Sequence, residues 1–400
     1  MTLGGVITSC SDDDKDTPTV CPIANTTFNS TNGLELTYNG EALLGKQVVF
    51  APNVSDPTKA TLTLSGEDFD LLKQMSKSNG IIFNTSGVLP GSSETKLDID
   101  LTIEGDRIIF KGASETEFCT FSYAGEGSKG GFKLNLNEVA LKEKGLVGQW
   151  NLAPKEVDDW QEIISTPLHL EWDSKEILNI ELFPGVSAPM PVKDVLVLTL
   201  GMPLIDNGAK DKVSAFDMLV ASFKDVRFAE DGNVTAQIVD FANGQTEPSV
   251  SPKNVAFYVV DQMPTTSERG KMRLFLNIET INKIANADKT KSRADGLDIS
   301  SLLALANPYI QNGIPLVLNT TAEGKITVML DTEFLLPILK GVVIPLLSNE
   351  TLVNGLLETI KNDPELGSFV PTAEAVFKQL PAVINSTSKV EIGLNFLLNK

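Results

Sequence analysis

The sequence predicts a β-rich α+β protein. An antiparallel β-sandwich or half-barrel is expected in residues 33–150, followed by a larger α+β domain in residues 151–400 with helices packed on an antiparallel sheet. Three observations predict it. Leu97-Asp98-Ile99-Asp100-Leu101-Thr102-Ile103 alternates without a miss, as a strand with one apolar and one polar face must. Apolar residues at helical spacing are concentrated in the second half, above all in residues 333–384. Between the halves, Gly148-Gln149-Trp150 and Pro154 mark a seam.

In chain order, residues 11–32 are rich in Asp, Thr, Ser, Asn and Pro and read as a flexible tether. Some 20 such residues reach about 25 Å. Lys59–Leu64 and Phe132–Asn137 alternate like Leu97–Ile103. Asn39-Gly40 and Glu104-Gly105-Asp106 supply turn chemistry. One helix is expected to interrupt these strands, with Ser65 as cap, Asp68 three residues on, and Phe69, Leu72 and Met75 at helical spacing. After the seam, Pro154 should open a short helix carrying Val157, Trp160 and Ile164. Leu168–Trp172 reads as a strand and Lys212–Phe223 as a helix. Strands follow at Val226–Phe228, Val234–Asp240, Val255–Val260 and Arg273–Ile278, then a polar loop over Ala285–Asp298. Ser300–Tyr309 reads as helical, and Gly313–Leu318 with Lys325–Leu330 as a hairpin. Three helices are expected near Glu333–Leu347, Glu350–Lys361 and Ala373–Ile384, with Pro337 and Pro345 kinking or splitting the first. Val390–Leu398 closes the chain as a strand, with Val390, Ile392, Leu394, Phe396 and Leu398 on one face.

Composition narrows the function. With 33 basic against 52 acidic residues, the net charge of −19 argues against a nucleic-acid partner, which needs a Lys/Arg surface to neutralise phosphates. The most apolar run, Phe334–Leu347, is too short for about 30 Å of hydrocarbon and is broken by Pro337, Lys340, Gly341 and Pro345. Membrane contact must then come from elsewhere. Ile7-Thr8-Ser9-Cys10 followed by Ser11-Asp12-Asp13-Asp14 resembles a bacterial lipobox: an aliphatic residue three before the cysteine, small or hydroxylated residues between, and a thiol that carries diacylglycerol. The acidic run is similar to the export signal of Bacteroidetes lipoproteins, which directs them to the outer face of the outer membrane. Residues 1–10 thus read as a lipoprotein signal remnant, Cys10 as the lipidation site, and Ser11, Asp12, Asp13 and Asp14 as the export signal. Two or more acyl chains anchor a protein stably.

The whole chain also resembles a Bacteroidetes lipoprotein family of unknown function. The resemblance rests on Leu36-Thr37-Tyr38-Asn39-Gly40 with Gly45-Lys46, Gly148-Gln149-Trp150, Phe257-Tyr258-Val259-Val260-Asp261, Gly313-Ile314-Pro315-Leu316 and Glu333-Phe334-Leu335. It implies a β-rich surface lipoprotein and no particular chemistry.

No catalytic, metal or cofactor motif is read from the residues. One histidine removes most Ser-His and Cys-His arrangements. His169 should face outward with Glu171 and Asp173, a solvated strand face in preference to a metal pair. Asp158-Asp159 is the likeliest-looking acid pair, yet two acids in a first helical turn equally serve the helix dipole. Gly125-x-Gly127-x-x-Gly130 fits a phosphate-loop spacing but links two strands, so it is set aside. Trp150, Trp160 and Trp172 suggest sugar stacking, although periodicity places Trp160 and Trp172 on apolar faces. Cys21 and Cys119 remain as free thiols or one disulfide. The sequence therefore reads as a non-enzymatic surface lipoprotein binding a polysaccharide or a surface-protein partner. The alternatives are a carboxylate-based extracellular glycan hydrolase and a carrier of an apolar ligand.

Overall fold

Alternating burial builds the first half of the chain. The protein was described from a computed structural model, covering residues 20–70, 82–157, 159, 163–183, 185–206, 212–241, 245–287, 308–363 and 366–399. Its strands there are β1 (Thr26–Phe28), β2 (Leu34–Tyr38), β3 (Glu41–Ala42), β4 (Lys46–Pro52), β5 (Lys59–Gly66), β6 (Asp68–Asp70), β7 (Ile82–Asn84), β8 (Glu94–Asp100), β9 (Thr102–Glu104), β10 (Arg107–Glu115), β11 (Cys119–Ser128) and β12 (Gly131–Leu141). They form a four-stranded sheet, β1-β4-β5-β8, and a six-stranded sheet, β3-β2-β12-β11-β10-β9. Every pairing in them is antiparallel except β2 with β12, which is parallel. Phe28 of one sheet stacks on Phe132 of the other at 4.9 Å, Phe50 meets the same ring tilted at 6.0 Å, and Phe110 stacks on it at 5.5 Å. On β12 the buried positions are Phe132, Leu134 and Leu136; the series then shifts to Val139 and Leu141 across a bulge at Glu138, whose φ is 52°. The Asn39-Gly40 pair turns β2 into β3 with both φ positive, as a tight hairpin requires.

The expected helix at Ser65 is not formed. Ser65 lies in β5, paired with Gln47 and Glu94, and Asp68–Asp70 pairs with Ile82–Asn84. The sheet ladder supplies the backbone partners that the helix cap would have supplied. Leu72 and Met75 lie outside the described residues.

Residues 148–398 make a second architecture. The strands are β13 (Gly148–Leu152), β14 (Glu156–Val157), β15 (Ile163–Ser165), β16 (Leu168–Ser174), β17 (Leu178–Phe183), β18 (Val186–Met190), β19 (Pro203–Asp206), β20 (Lys212–Ser214), β21 (Phe223–Phe228), β22 (Asn233–Ile238), β23 (Ser249–Val250), β24 (Ala256–Gln262), β25 (Gly270–Leu276), β26 (Ile314–Ala322), β27 (Lys325–Leu330) and β28 (Thr387–Leu398). The helices are α1 (Val192–Gly201), α2 (Ala215–Ser222), α3 (Ile278–Ala287), α4 (Thr332–Ile338), α5 (Ile344–Leu347), α6 (Glu350–Asn362) and α7 (Val370–Asn385). Strands β13-β21-β22-β24-β25-β26-β27-β28 follow one another around a sheet, and β28 pairs back onto β13, closing eight antiparallel strands into a ring. Trp150, Val226, Phe228, Val260, Met272, Leu318, Ile326 and Phe396 are buried on one face of that ring. Lys271, Arg227 and Asp261 are exposed on the other. Small eight-stranded barrels are filled by such side chains.

The seam residues Gly148–Trp150 are thus the first strand of the ring, and the main core runs across them. Tyr38 donates to the Asp231 carbonyl, and Asn277 Nδ2 donates to the Leu44 carbonyl at 3.2 Å. A second, smaller core gathers Trp172, Leu178, Ile180, Val192, Val383, Ile384 and Val390.

Three further expectations change. Residues 154–164 hold no described helix: β14 pairs with β15, and Trp160 lies outside the described residues. The helix at 212–223 shrinks to α2 because Lys212–Ser214 pairs with Pro203–Asp206 and Phe223 enters β21. Ile278–Ala287 is helical, so the expected polar loop begins inside α3; the rest of that loop lies outside the described residues. Neither proline ends the long helix, whose backbone stays helical from Thr332 to Leu347 with Pro337 inside α4 and Pro345 at the start of α5. A π turn at Leu339–Val343 joins α4 to α5, which relieves the clash of a proline ring with the preceding turn.

Candidate functional site

The polar faces of β16 and β28 bring together His169, Glu171, Asp173, Lys389 and Glu391. Register places Glu171 across from Glu391, His169 across from Gly393 and Asp173 across from Lys389. Glu391 is only 3% exposed. Arg269, just before β25, donates to it through Nη1 at 2.6 Å and Nη2 at 3.4 Å. His169 Nε2 lies 3.2 Å from the same carboxylate and Lys389 Nζ 3.4 Å. Glu171 accepts from Lys193 of α1 at 2.9 Å. Gly393 is obligatory here, because a Cβ would stand 2.4 Å from both Met329 Cβ and the Val328 carbonyl oxygen.

Burial pushes the Glu391 carboxyl up, but hydrogen bonds from Arg269 and His169 and the charges of Arg269 and Lys389 outweigh it and hold the group below its ordinary range. A glycosidase's general acid needs the opposite shift. The cluster is therefore built to keep a carboxylate ionised and to tie β16, β28 and the Arg269 segment together. His169 shares a face with Glu171 and Asp173, but it is half-buried rather than solvated. Among the described residues, no group of three or more His, Cys, Asp and Glu side chains is placed to hold a metal ion.

A second feature is a cleft of about 410 Å³ at the end of the six-stranded sheet. Gly33, Gly127, Gly130 and Gly131 line it together with Glu35, Lys133, Glu126 and Arg107. Lys133 stands between Glu126 and Glu35 in the register, and Arg107 pairs with Glu126. In the 125–130 motif Gly125 and Gly127 are strand glycines and Gly130 lies in the turn that links β11 to β12; a Cβ on Gly125 would strike Phe110 and the Lys133 carbonyl. On the inward side of Gly127, away from these charged groups, Ile23 joins the core with Phe132.

The remaining sequence candidates scatter. Trp150 and Trp172 are buried, each with its indole N–H bonded, to the Leu146 carbonyl and Thr387 Oγ1 respectively, so neither ring is offered to a sugar. Asp159 sits in the β14–β15 turn rather than in a first helical turn, and Asp158 lies outside the described residues. Cys10, Ser11, Asp12, Asp13 and Asp14 also lie outside them. Cys21 and Cys119 are free thiols.

Sequence reasoning missed two features. Arg269 and Glu391 are distant in the chain and carry no local motif. Lys46 is buried in line with Val48 and Phe50, and a lysine at an inward position of an alternating strand was the available signal. Comparison with known proteins gave no match: no protein family, no curated protein and no solved structure is matched by this chain.

Proposed function

We propose that the chain is a cell-surface lipoprotein of the outer membrane, held by lipid on Cys10 with Ser11–Asp14 as its export signal, and that its body binds a ligand rather than transforming one. In this reading residues 33–150 form a two-sheet domain of sandwich or half-barrel type, and residues 151–400 an α+β domain. Polysaccharide capture is the binding activity we favour. The supporting observation is the cleft at the end of the six-stranded sheet, where Glu35, Lys133, Glu126 and Arg107 alternate acceptor and donor along neighbouring strands. The test is affinity electrophoresis against a panel of polysaccharides, with an Arg107→Ala/Lys133→Ala double variant of unchanged circular dichroism. Retention of wild type should fall at least tenfold in the variant. Equal retention of both proteins would reject the cleft.

Carriage of an apolar ligand has its own supporting observation. The stretch Thr332–Leu347 is the most apolar of the chain, yet none of its residues is fully buried. Saturable uptake of a fluorescent fatty acid that ignores the cleft double variant would favour that reading. Hydrolysis by the opposed Glu171 and Glu391 is disfavoured because Glu391, held ionised, cannot be the general acid, and as a nucleophile or base it is 3% exposed with its oxygens already taken by Arg269 and His169.

A further inference from the structure

Lys46 opens β4 at an inward position and is only 3% exposed, beside Val48 and Phe50, which are fully buried. Its Nζ donates to the Ser86 carbonyl at 2.7 Å and meets Ser86 Oγ at 3.3 Å. Among the described residues no carboxylate pairs with it. The charged groups on the surrounding elements are Glu67 after β5, Asp68 of β6, Glu94 of β8 and Glu279 of α3. Glu67 is turned onto Ser30 Oγ at 2.9 Å, Glu94 pairs with Lys96 at 3.3 Å, and Glu279 approaches Gly45 only with its methylenes. A buried ammonium with two neutral acceptors has lost its hydration without gaining a counter-ion, which favours the neutral amine. Burial accordingly lowers the Lys46 pKa from 10.5 to about 7.

What Lys46 holds is a strap, residues 85–90, that closes the end of the first core. Gly66 lets the strap lie flat on β5, since a Cβ there would come 2.3 Å from the Thr85 carbonyl oxygen and 2.7 Å from that of Ser86. Thr85 Oγ1 donates to the Glu67 carbonyl at 2.8 Å. Val88 and Leu89 are buried, at 3% and 2%. Pro90 lies against Gly232, in the turn between β21 and β22 of the ring.

We propose that Lys46 is a proton-operated latch: as the neutral amine it holds the 85–90 strap on β4 and β5, and on taking up a proton from water it leaves the core, freeing the strap and its Pro90 contact with the ring. The direction follows from linkage. An opened, solvated Lys46 titrates near its ordinary 10.5, and the closed one near 7. Between those values opening takes up a proton, so it becomes about tenfold easier for each pH unit lost; below pH 7 both forms are protonated and the dependence levels off.

The test uses the full chain. Amide exchange in residues 85–89, corrected for intrinsic rates, is compared at pH 7, 8 and 9 in wild type and Lys46→Met. Protection in wild type should rise about tenfold per unit relative to the variant. Parallel pH responses in the two proteins would overturn the latch. Should Lys46→Met not fold, the ¹⁵Nζ resonance of Lys46 in wild type decides: a midpoint near 7 supports the latch, and one near 10.5 refutes it.

Discussion

Replacing Glu391 by alanine removes the one carboxylate on which Arg269, Lys389 and His169 converge. Breaking a buried ion pair by removing one partner costs about 3–5 kcal/mol, because the other charge is left behind. Here Arg269 is 47% and Lys389 38% exposed, so water takes back part of that loss. A destabilisation of about 2–3 kcal/mol at pH 7 is expected, read from the urea midpoint with unchanged slope. The pH dependence has a definite sign. Glu391 titrates lower in the folded protein than in the unfolded chain, so its contribution is complete above the unfolded value near 4.5 and is lost as pH falls through the lower folded value. The gap between wild type and Glu391→Ala should therefore narrow as pH falls below 4.5. A paired Arg269→Met/Glu391→Leu variant should recover most of the loss, since apolar packing replaces buried ion pairs well. A single variant within about 0.5 kcal/mol of wild type at pH 7, or a gap unchanged in acid, would refute the reasoning.

Other substitutions follow from the same geometry. Gly393→Ala drives a methyl into Met329 and the Val328 carbonyl and should lower stability by about 1–3 kcal/mol in thermal melts. Tyr38→Phe removes the hydroxyl bonded to the Asp231 carbonyl between the first sheets and the ring, and should cost about 1 kcal/mol in urea unfolding. Cys119 is buried and its thiol is pushed up by that burial, so a thiol reagent at pH 8 should label Cys21 first and reach Cys119 only on unfolding.

The strands with strict alternation were legible because one buried face imposes a period of two whatever the fold around it. Leu97–Ile99, Phe132–Leu136 and the apolar face of β28 all follow that rule. Three features were not local enough to read. Ring closure depends on Trp150 meeting Leu398, and no window of sequence contains both. Ser65 with Asp68 has the spacing of a helix cap, but strand partners from residues 47 and 94 overrode it. Glu391 alternates with Val390 and Ile392 like any solvent-facing acid; its burial comes from Arg269, 122 positions away, and His169, 222 away. The cleft shows the same limit. Its glycines were visible as a motif, but their meeting with Gly33 comes from a parallel pairing that nothing in either strand announces.

The central claim, a ligand-binding body tethered by lipid on Cys10, is tested most directly by metabolic labelling of the full chain with a clickable fatty acid, combined with protease shaving of intact cells. Wild type should carry the label and be shaved from the surface, whereas Cys10→Ala should lose the label and leave the outer-membrane fraction. A Cys10→Ala protein that stays labelled, or still fractionates with the outer membrane, would contradict the account.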